Sequence, residues 1–286
     1  MLDTFSFVKM HGCGNDYIFS DCFETNNSEA EILKIAALSP KFSDRHKGIG
    51  SDGIVLILPS ETADAQMRMF NADGSESAMC GNAIRCVGKY LYESGKVKKE
   101  ALEIETLSGI KKLELNISDG VVTSAQVNMG PAYLKPEEIP VDLVGDSIIG
   151  RRVTIAGHRF EITCVGMGNP HAVYFHDDID HFDLQDVGPS VECAKIFPKR
   201  INFEIAQIVS RNSIIMRVWE RGSGETMACG TGACAVAVAA VLMGYCDKDT
   251  DISVKLKGGV LTIKYTDEAV FMTGGCEKVF EGTVEI

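Results

Sequence analysis

The chain has 286 residues, 45% of them hydrophobic, with ten cysteines and a formal charge of -12 at pH 7. This length suits one large or two modest domains with cores of their own, and an acidic balance without a basic stripe excludes a general binder of nucleic acids or anionic membranes. The N-terminus lacks the basic region and apolar run of a signal peptide, and no apolar segment reaches the ~18 residues of a membrane span, so a cytoplasmic chain with reduced thiols is expected.

Strands are predicted at residues 5–10 and 17–22, followed by a helix at 28–38 that opens with the capping box of Ser28 and Glu31 and stops before Pro40. Strands at 54–58 and 67–71 lead to a helix over 81–94, which Gly95 ends in a left-handed cap. Strands at 102–106, 112–117 and 121–128 complete the first half, and the prolines 131, 136 and 140 mark a boundary near Gly130. The second half repeats the pattern. Strands at 153–156, 160–165, 172–175, 203–209 and 214–219 precede a helix over 230–243 that ends at Gly244, then strands at 252–256, 260–265 and 269–273. Residues 284–286 are expected to return to the first half. The helix after Gly230 has no polar face and should be enclosed by sheet, whereas its counterpart carries Arg85 and Lys89 and is expected to be less enclosed.

The sequence M-R-M-F-N-A-D-G-S-E-S-A-M-C-G-N, from Met67 to Asn82, aligns without a gap with M-R-V-W-E-R-G-S-G-E-T-M-A-C-G-T, from Met216 to Thr231, at an offset of 149 residues. G-C-G-N at 12–15 recurs as G-M-G-N at 166–169. A duplicated domain accounts for both. The expected fold is α/β (α+β) with two pseudo-symmetric domains, each a mixed or antiparallel sheet round a central helix, and an active site in the cleft between them. Residues 1–129, joined by about 276–286, form one half, and residues 130–275 the other.

Cys80 and Cys229 occupy equivalent places, each at the start of a helix and each followed by glycine. A helix N-terminus favours an anion, so these thiols are expected to be more acidic than the free value of about 8.5. The N–H groups of Gly81-Asn82 and Gly230-Thr231 can hold a carboxylate. Two thiols on opposite faces of one α-carbon would invert it, one as base and the other as acid, without a cofactor. The remaining motifs are weaker. Gly48, Gly50 and Gly53 fit G-x-G-x-x-G, but a strand follows where a dinucleotide site needs a helix. There is no C-x-x-C pair and the six histidines are dispersed, so no metal is expected. Pairing one cysteine with His171 as a hydrolase leaves the second unexplained. Cys22, Cys86, Cys164, Cys234, Cys246 and Cys276 are read as core and Asp177, Asp178 and Asp180 as solvated surface, while Cys13 and Cys193 stay undecided, with a structural role favoured.

Five ordered blocks, K-M-H-G-C-G-N-D-Y, F-N-A-D-G-S-E-S-A-M-C-G-N-A-I-R-C, M-G-N-P-H, R-I-N and W-E-R-G-S-G-E-T-M-A-C-G-T-G-A, resemble the diaminopimelate epimerase family. The resemblance implies a cofactor-independent isomerase of lysine and cell-wall precursor synthesis, a homodimer, with Cys80 and Cys229 as the acid/base pair. It implies that Gly81, Asn82, Gly230 and Thr231 hold the reacting carboxylate and that Asn15, Asn71, Asn169, Asn202, Glu220 and Arg221 bind the distal amino-acid end. His171 and Glu220 would tune the cysteines. Gly53 departs from the family, many members of which carry glutamine there, and Cys13 stands where an aliphatic residue is common. A racemase of another amino acid on the same fold is the alternative. A relative that had lost two-thiol chemistry would lack one of the cysteines, and both are present.

Overall fold

Alternating apolar residues at the start of the segment TFSFVKMHG bury Phe5 and Phe7 and make Thr4–Gly12 a strand, β1, whose register on its C-terminal neighbour shifts between Lys9 and the also buried Met10. The computed structural model describes residues 4–25 and 28–286. It divides into two units, Met1–Val127 with Gly274–Ile286, and Asn128–Thr273.

In the first unit β1 pairs antiparallel with Asn15–Asp21 (β2) on one side and with the C-terminal strand Glu277–Glu285 on the other. The return strand therefore begins well before residue 284. The chain then forms helices Glu29–Ala36 (α1) and Ser39–Ser43 (α2). The Ser28 hydroxyl accepts from the Glu31 N–H, as a capping box requires, but Pro40 starts α2 rather than merely following α1, because proline suits the first turn of a helix. Gly53–Leu58 (β3) runs parallel to β2 and antiparallel to Ala65–Asn71 (β4). The pair Glu76–Ser77 (β5) folds back on β4, and Gly81–Glu93 (α3) follows. Ala101–Glu105 (β6) pairs parallel with β4, and Lys111–Ser118 (β7) and Val121–Asn128 (β8) extend the sheet antiparallel. Gly95, at φ +80, follows the helix cap as expected.

The second unit contains Arg151–Ile155 (β9), His158–Gly166 (β10), Pro170–Phe175 (β11), Leu184–Glu192 (α4), Asn202–Ser210 (β12), Ser213–Glu220 (β13), Gly224–Glu225 (β14), Gly230–Leu242 (α5), Asp251–Leu256 (β15) and Gly259–Tyr265 (β16), and Val270–Gly275 (β17) begins in it and ends in the first. Its pairings repeat those of the first: β10 with β11 antiparallel, β11 with β12 parallel, β12 with β13 antiparallel, β13 with β15 parallel. Even the register recurs. Ile54 pairs with Phe70, and Phe203 with Trp219, each partner 149 residues further on. The helix α4, which lies between β11 and β12 as α1 and α2 lie between β2 and β3, was not expected. Its cap is Asp183, whose carboxylate accepts from the Asp186 N–H, and the interior Pro189 masks it in the sequence.

The central helices differ less than expected. In α5 residues 232–240 are buried without exception, as its apolar circumference predicts. In α3 the two cations are enclosed as well: Arg85 is fully buried and Lys89 nearly so. Each is tolerated because its donors are taken, those of Arg85 by the carbonyls of Gly81 and Gly275 and the Asn82 side chain, and those of Lys89 by the Val122 carbonyl and the Glu93 carboxylate.

Gly53 opens β3 with φ +156, and a Cβ there would lie 2.1 Å from the carbonyl oxygen of Phe70. Backbone, not a flexible side chain, blocks the position, so the glutamine of other family members does not fit this local geometry. Gly53→Gln is expected to cost about 1–3 kcal/mol, the usual range for overpacking. The check is a lower urea midpoint at unchanged slope; a wild-type midpoint would refute the clash.

Candidate active site

In the first unit the turn G-C-G-N is a two-residue hairpin. Gly12 pairs with Asn15, and Cys13 and Gly14 both have positive φ, +54 and +76, the conformation of a primed turn. Asn15 thus becomes the first residue of β2, which carries it toward the start of α3. There Cys80 is the N-cap, extended at φ -136 and ψ 120 and half-buried. The Asn15 Oδ1 lies 3.7 Å from Cys80 Sγ and accepts at 3.3 Å from the Asn82 side-chain amide. The Tyr17 hydroxyl is 3.6 Å from the same sulfur. Asn71 sits at the end of β4, where its amide donates to Ser75 Oγ at 3.0 Å and its carbonyl closes the turn to Gly74. Gly81 is buried, and its carbonyl accepts from Arg85.

In the second unit Cys229 caps α5 in the same extended conformation and is 5% exposed. The Gly232 N–H donates to its sulfur at 3.4 Å, and the Thr231 hydroxyl lies at 3.5 Å. The segment before it is clamped by Glu225, which meets Arg217 at 2.8 Å and Lys257 at 2.6 Å. Burial would raise the Glu225 carboxyl, but these cations and Gln185 outweigh it and hold it at about 2. Glu220 accepts from the Thr226 hydroxyl at 2.5 Å.

Asn202 is buried and spends both ends of its amide on backbone, donating to Pro170 O and accepting from the Arg221 N–H. Its role in this unit is therefore also to hold Arg221, whose exposed guanidinium donates to Lys199 O. The G-M-G-N turn differs from its counterpart. Gly166 pairs with Pro170, so Asn169 ends a three-residue loop rather than beginning a strand. Its Oδ1 is 2.9 Å from His171 Nε2, and His171 Nδ1 is 2.6 Å from Glu204 Oε1. His171 and Glu204 are both 0% exposed.

One expectation is overturned. Burial, the largest influence at both sites, pushes the Cys80 thiol above the ordinary cysteine range and the Cys229 thiol well above it. The helix-end N–H groups act in the expected direction, those of Ala83 and Asn82 on Cys80 and that of Gly232 on Cys229, but do not prevail. Removing a thiolate from water costs more than one helix terminus returns. At Cys229 the carboxylates of Glu220 and Glu204 add to the rise.

Three neighbours of these residues escaped the sequence reading: Tyr17, Asp52 and Glu204. Glu204 carries a usable signal, a lone carboxylate inside the apolar run I-N-F-E-I-A, where every strand residue from 202 to 206 is buried. Of the other cysteines, the six read as core are buried, Cys13 is half-buried with Arg85 3.9 Å from its sulfur, and Cys193 is exposed at the end of α4. Asp177, Asp178 and Asp180 are exposed.

The family model described as diaminopimelate epimerase matches residues 7–135 and 163–279. The chain belongs to the diaminopimelate epimerase family. Within it, the diaminopimelate epimerase of Acetivibrio thermocellus is 52% identical over 98% of both chains. That of Methanococcus maripaludis is 49% identical over 98% of this chain and 99% of its own. Among solved structures, a hydroxyproline epimerase from Agrobacterium vitis matches with a TM-score of 0.68 at 15% identity, covering 99% of this chain and 93% of its own. A phenazine biosynthesis protein of the PhzF family from Bacillus anthracis matches with a TM-score of 0.69 at 18% identity, over 99% of both chains. The diaminopimelate epimerase family thus shares its two-domain α+β fold with proteins too distant in sequence to inform the substrate.

Proposed function

We propose that this protein interconverts L,L- and meso-2,6-diaminopimelate by moving a proton at one α-carbon between two cysteines, without cofactor or metal. The observation that carries the reading is the near 50% identity, over nearly the whole chain, to proteins named for that activity. The site residues support it chemically. One sulfur, as thiolate, takes the α-proton; the other, as thiol, gives a proton to the opposite face, and solvent restores the starting distribution. Cys80 and Cys229 are the two sulfurs. Backbone N–H groups of Gly81, Asn82, Gly230 and Thr231 oppose the negative charge that develops on the adjacent carboxylate. Asn15, Asn71, Asn169, Asn202, Glu220 and Arg221 bind the unreacted amino-acid end, whose carboxylate suits a guanidinium among amides.

Burial raises both thiols above the ordinary cysteine range, so forming the thiolate that the reaction needs is favoured by rising pH. Cytoplasmic location and a homodimer complete the reading and rest on family membership alone; no helix among the described residues is long and apolar enough to cross a membrane. The test supplies L,L-diaminopimelate in deuterated water. Formation of the meso isomer with one deuterium at the inverted carbon is expected. Faster exchange on a monocarboxylic amino acid would instead make the protein a racemase of another substrate.

A further inference from the structure

The hydrogen bonds around Cys80 form a chain with a fixed direction. At one end stands Arg85, which can only donate; its Nη2 meets Asn82 Oδ1 at 2.9 Å. The Asn82 amide nitrogen therefore points away from it, and donates to Asn15 Oδ1 at 3.3 Å. The Asn15 amide nitrogen in turn donates to Asp52 Oδ2 at 2.5 Å. At this end stands a carboxylate, which can only accept. Burial and the Asp16 charge raise the Asp52 carboxyl, but its oxygens are arranged as acceptors: the Asp16 N–H donates to the same oxygen at 3.0 Å, and Arg45 donates to the other at 2.8 Å. An asparagine alone could turn either end of its amide to a neighbour. Here a pure donor and a pure acceptor at the two ends of the chain leave one choice.

The choice has a chemical result, because the end of Asn15 that faces Cys80 is its oxygen, 3.7 Å from the sulfur. An amide oxygen accepts from S–H and repels a thiolate. We propose that Asp52, a residue outside the substrate-binding set, is a positioning residue that holds the Asn15 amide oxygen against Cys80 and so keeps this cysteine in its thiol form until the α-proton is to be taken. Within this unit the other titratable or charged groups facing Cys80 are Tyr17 from β2 and Arg85 and Cys86 from α3. Those facing Asp52 are Asp16, Arg45 and Tyr17. The second unit has no equivalent: the position matching Asp52 is Ile201, and the Asn169 oxygen faces a histidine. The duplicated scaffold thus sets its two glycine-linked asparagines by different means.

The inference rests on the two-thiol reading for its purpose, but its test needs no substrate. Alkylation by iodoacetamide is followed at the Cys80 peptide by mass spectrometry across pH, in the wild type and in Asp52→Ala, Asp52→Asn and Asp16→Asn. Without its acceptor the Asn15 amide is held from the Asn82 end alone and its oxygen is no longer fixed against the sulfur, so Asp52→Ala should alkylate at Cys80 about tenfold faster at pH 7, a midpoint about one unit lower. Asp16→Asn removes a charge from the same cluster without touching Asn15, and should move the midpoint by less than half as much. Should Asp52→Ala fail to fold, Asp52→Asn, a weaker acceptor of the same shape, should still exceed Asp16→Asn. An unmoved midpoint in folded Asp52 variants, or equal shifts from Asp52 and Asp16, would overturn the proposal. Normal shifts in a protein inactive on diaminopimelate would leave it standing and refute the substrate instead.

Discussion

Cys80→Ala and Cys229→Ala are each expected to lower kcat/KM for epimerisation by about 100- to 10,000-fold, the range over which a positioned acid or base contributes. The two losses should not add. If the sulfurs act as one unit, the double variant will be little worse than either single one, because removing one partner already abolishes the concerted transfer. Deuterium separates the roles further. A protein with one remaining sulfur can still remove and return a proton on the face that sulfur addresses, so each single variant should retain slow exchange without inversion, and only for one configuration. The two variants should label opposite isomers. Normal turnover in either single variant would sink the two-base mechanism, and identical labelling patterns would sink the assignment of one face to each cysteine.

The pH dependence follows from the same burial. A thiol raised in the folded protein is stable as the neutral group below the unfolded value of about 8.5, and that stability is lost as pH rises toward the folded value. Activity needs one thiolate and one thiol, so kcat/KM should climb on the alkaline side of neutrality as one of the two thiols ionises, and fall only when the second follows. A rate that is flat from pH 6 to 9 would contradict the desolvated environment.

The fold was legible where periodicity and repetition speak, and silent where tertiary contacts decide. The strands at 54–58 and 203–209 are apolar enough to be recognised as buried, and the Cys-Gly repeat located both central helices. The short strand Glu76–Ser77 and helix α4 were not visible: two residues carry no period, and a proline inside a nine-residue helix reads as a break. The enclosure of Arg85 could not be foreseen, since the carbonyl of Gly275, which accepts one of its donors, lies 190 residues away in sequence. At the site, sequence identified residue types but not electrostatics. A helix start argues for an acidic thiol; only the packed structure shows burial overriding it. Asp52 and Glu204 escaped for a related reason, because each acts through a partner, Asn15 or His171, that the sequence places elsewhere.

Glu204 carries the second large effect. Its carboxylate is fully enclosed, bonded at 2.6 Å to a histidine equally enclosed, and its Oε2 has no hydrogen-bond partner among the described residues. Glu204→Ala strands His171 Nδ1 and opens a cavity, at a cost expected near 3–5 kcal/mol, the range for breaking a buried pair by removing one member. Glu204→Gln keeps the shape and one hydrogen bond and should cost about 1–3 kcal/mol. The two can be told apart by pH. Burial raises the Glu204 carboxyl, with His171 opposing, so the stability its neutral form contributes is full below the unfolded value of about 4.3 and is lost as pH rises through the folded value. Glutamine does not titrate, so the gap between wild type and Glu204→Gln should narrow from pH 4 to pH 7 in urea unfolding; a widening gap would mean that the ionised pair is the stabilising form. Cys229 supplies an independent reading, since the Glu204 carboxylate is among the groups that raise its thiol. Glu204→Gln should therefore shift Cys229 alkylation to lower pH. If stability changes while Cys229 does not move, Glu204 supports the histidine and the fold without influencing the sulfur.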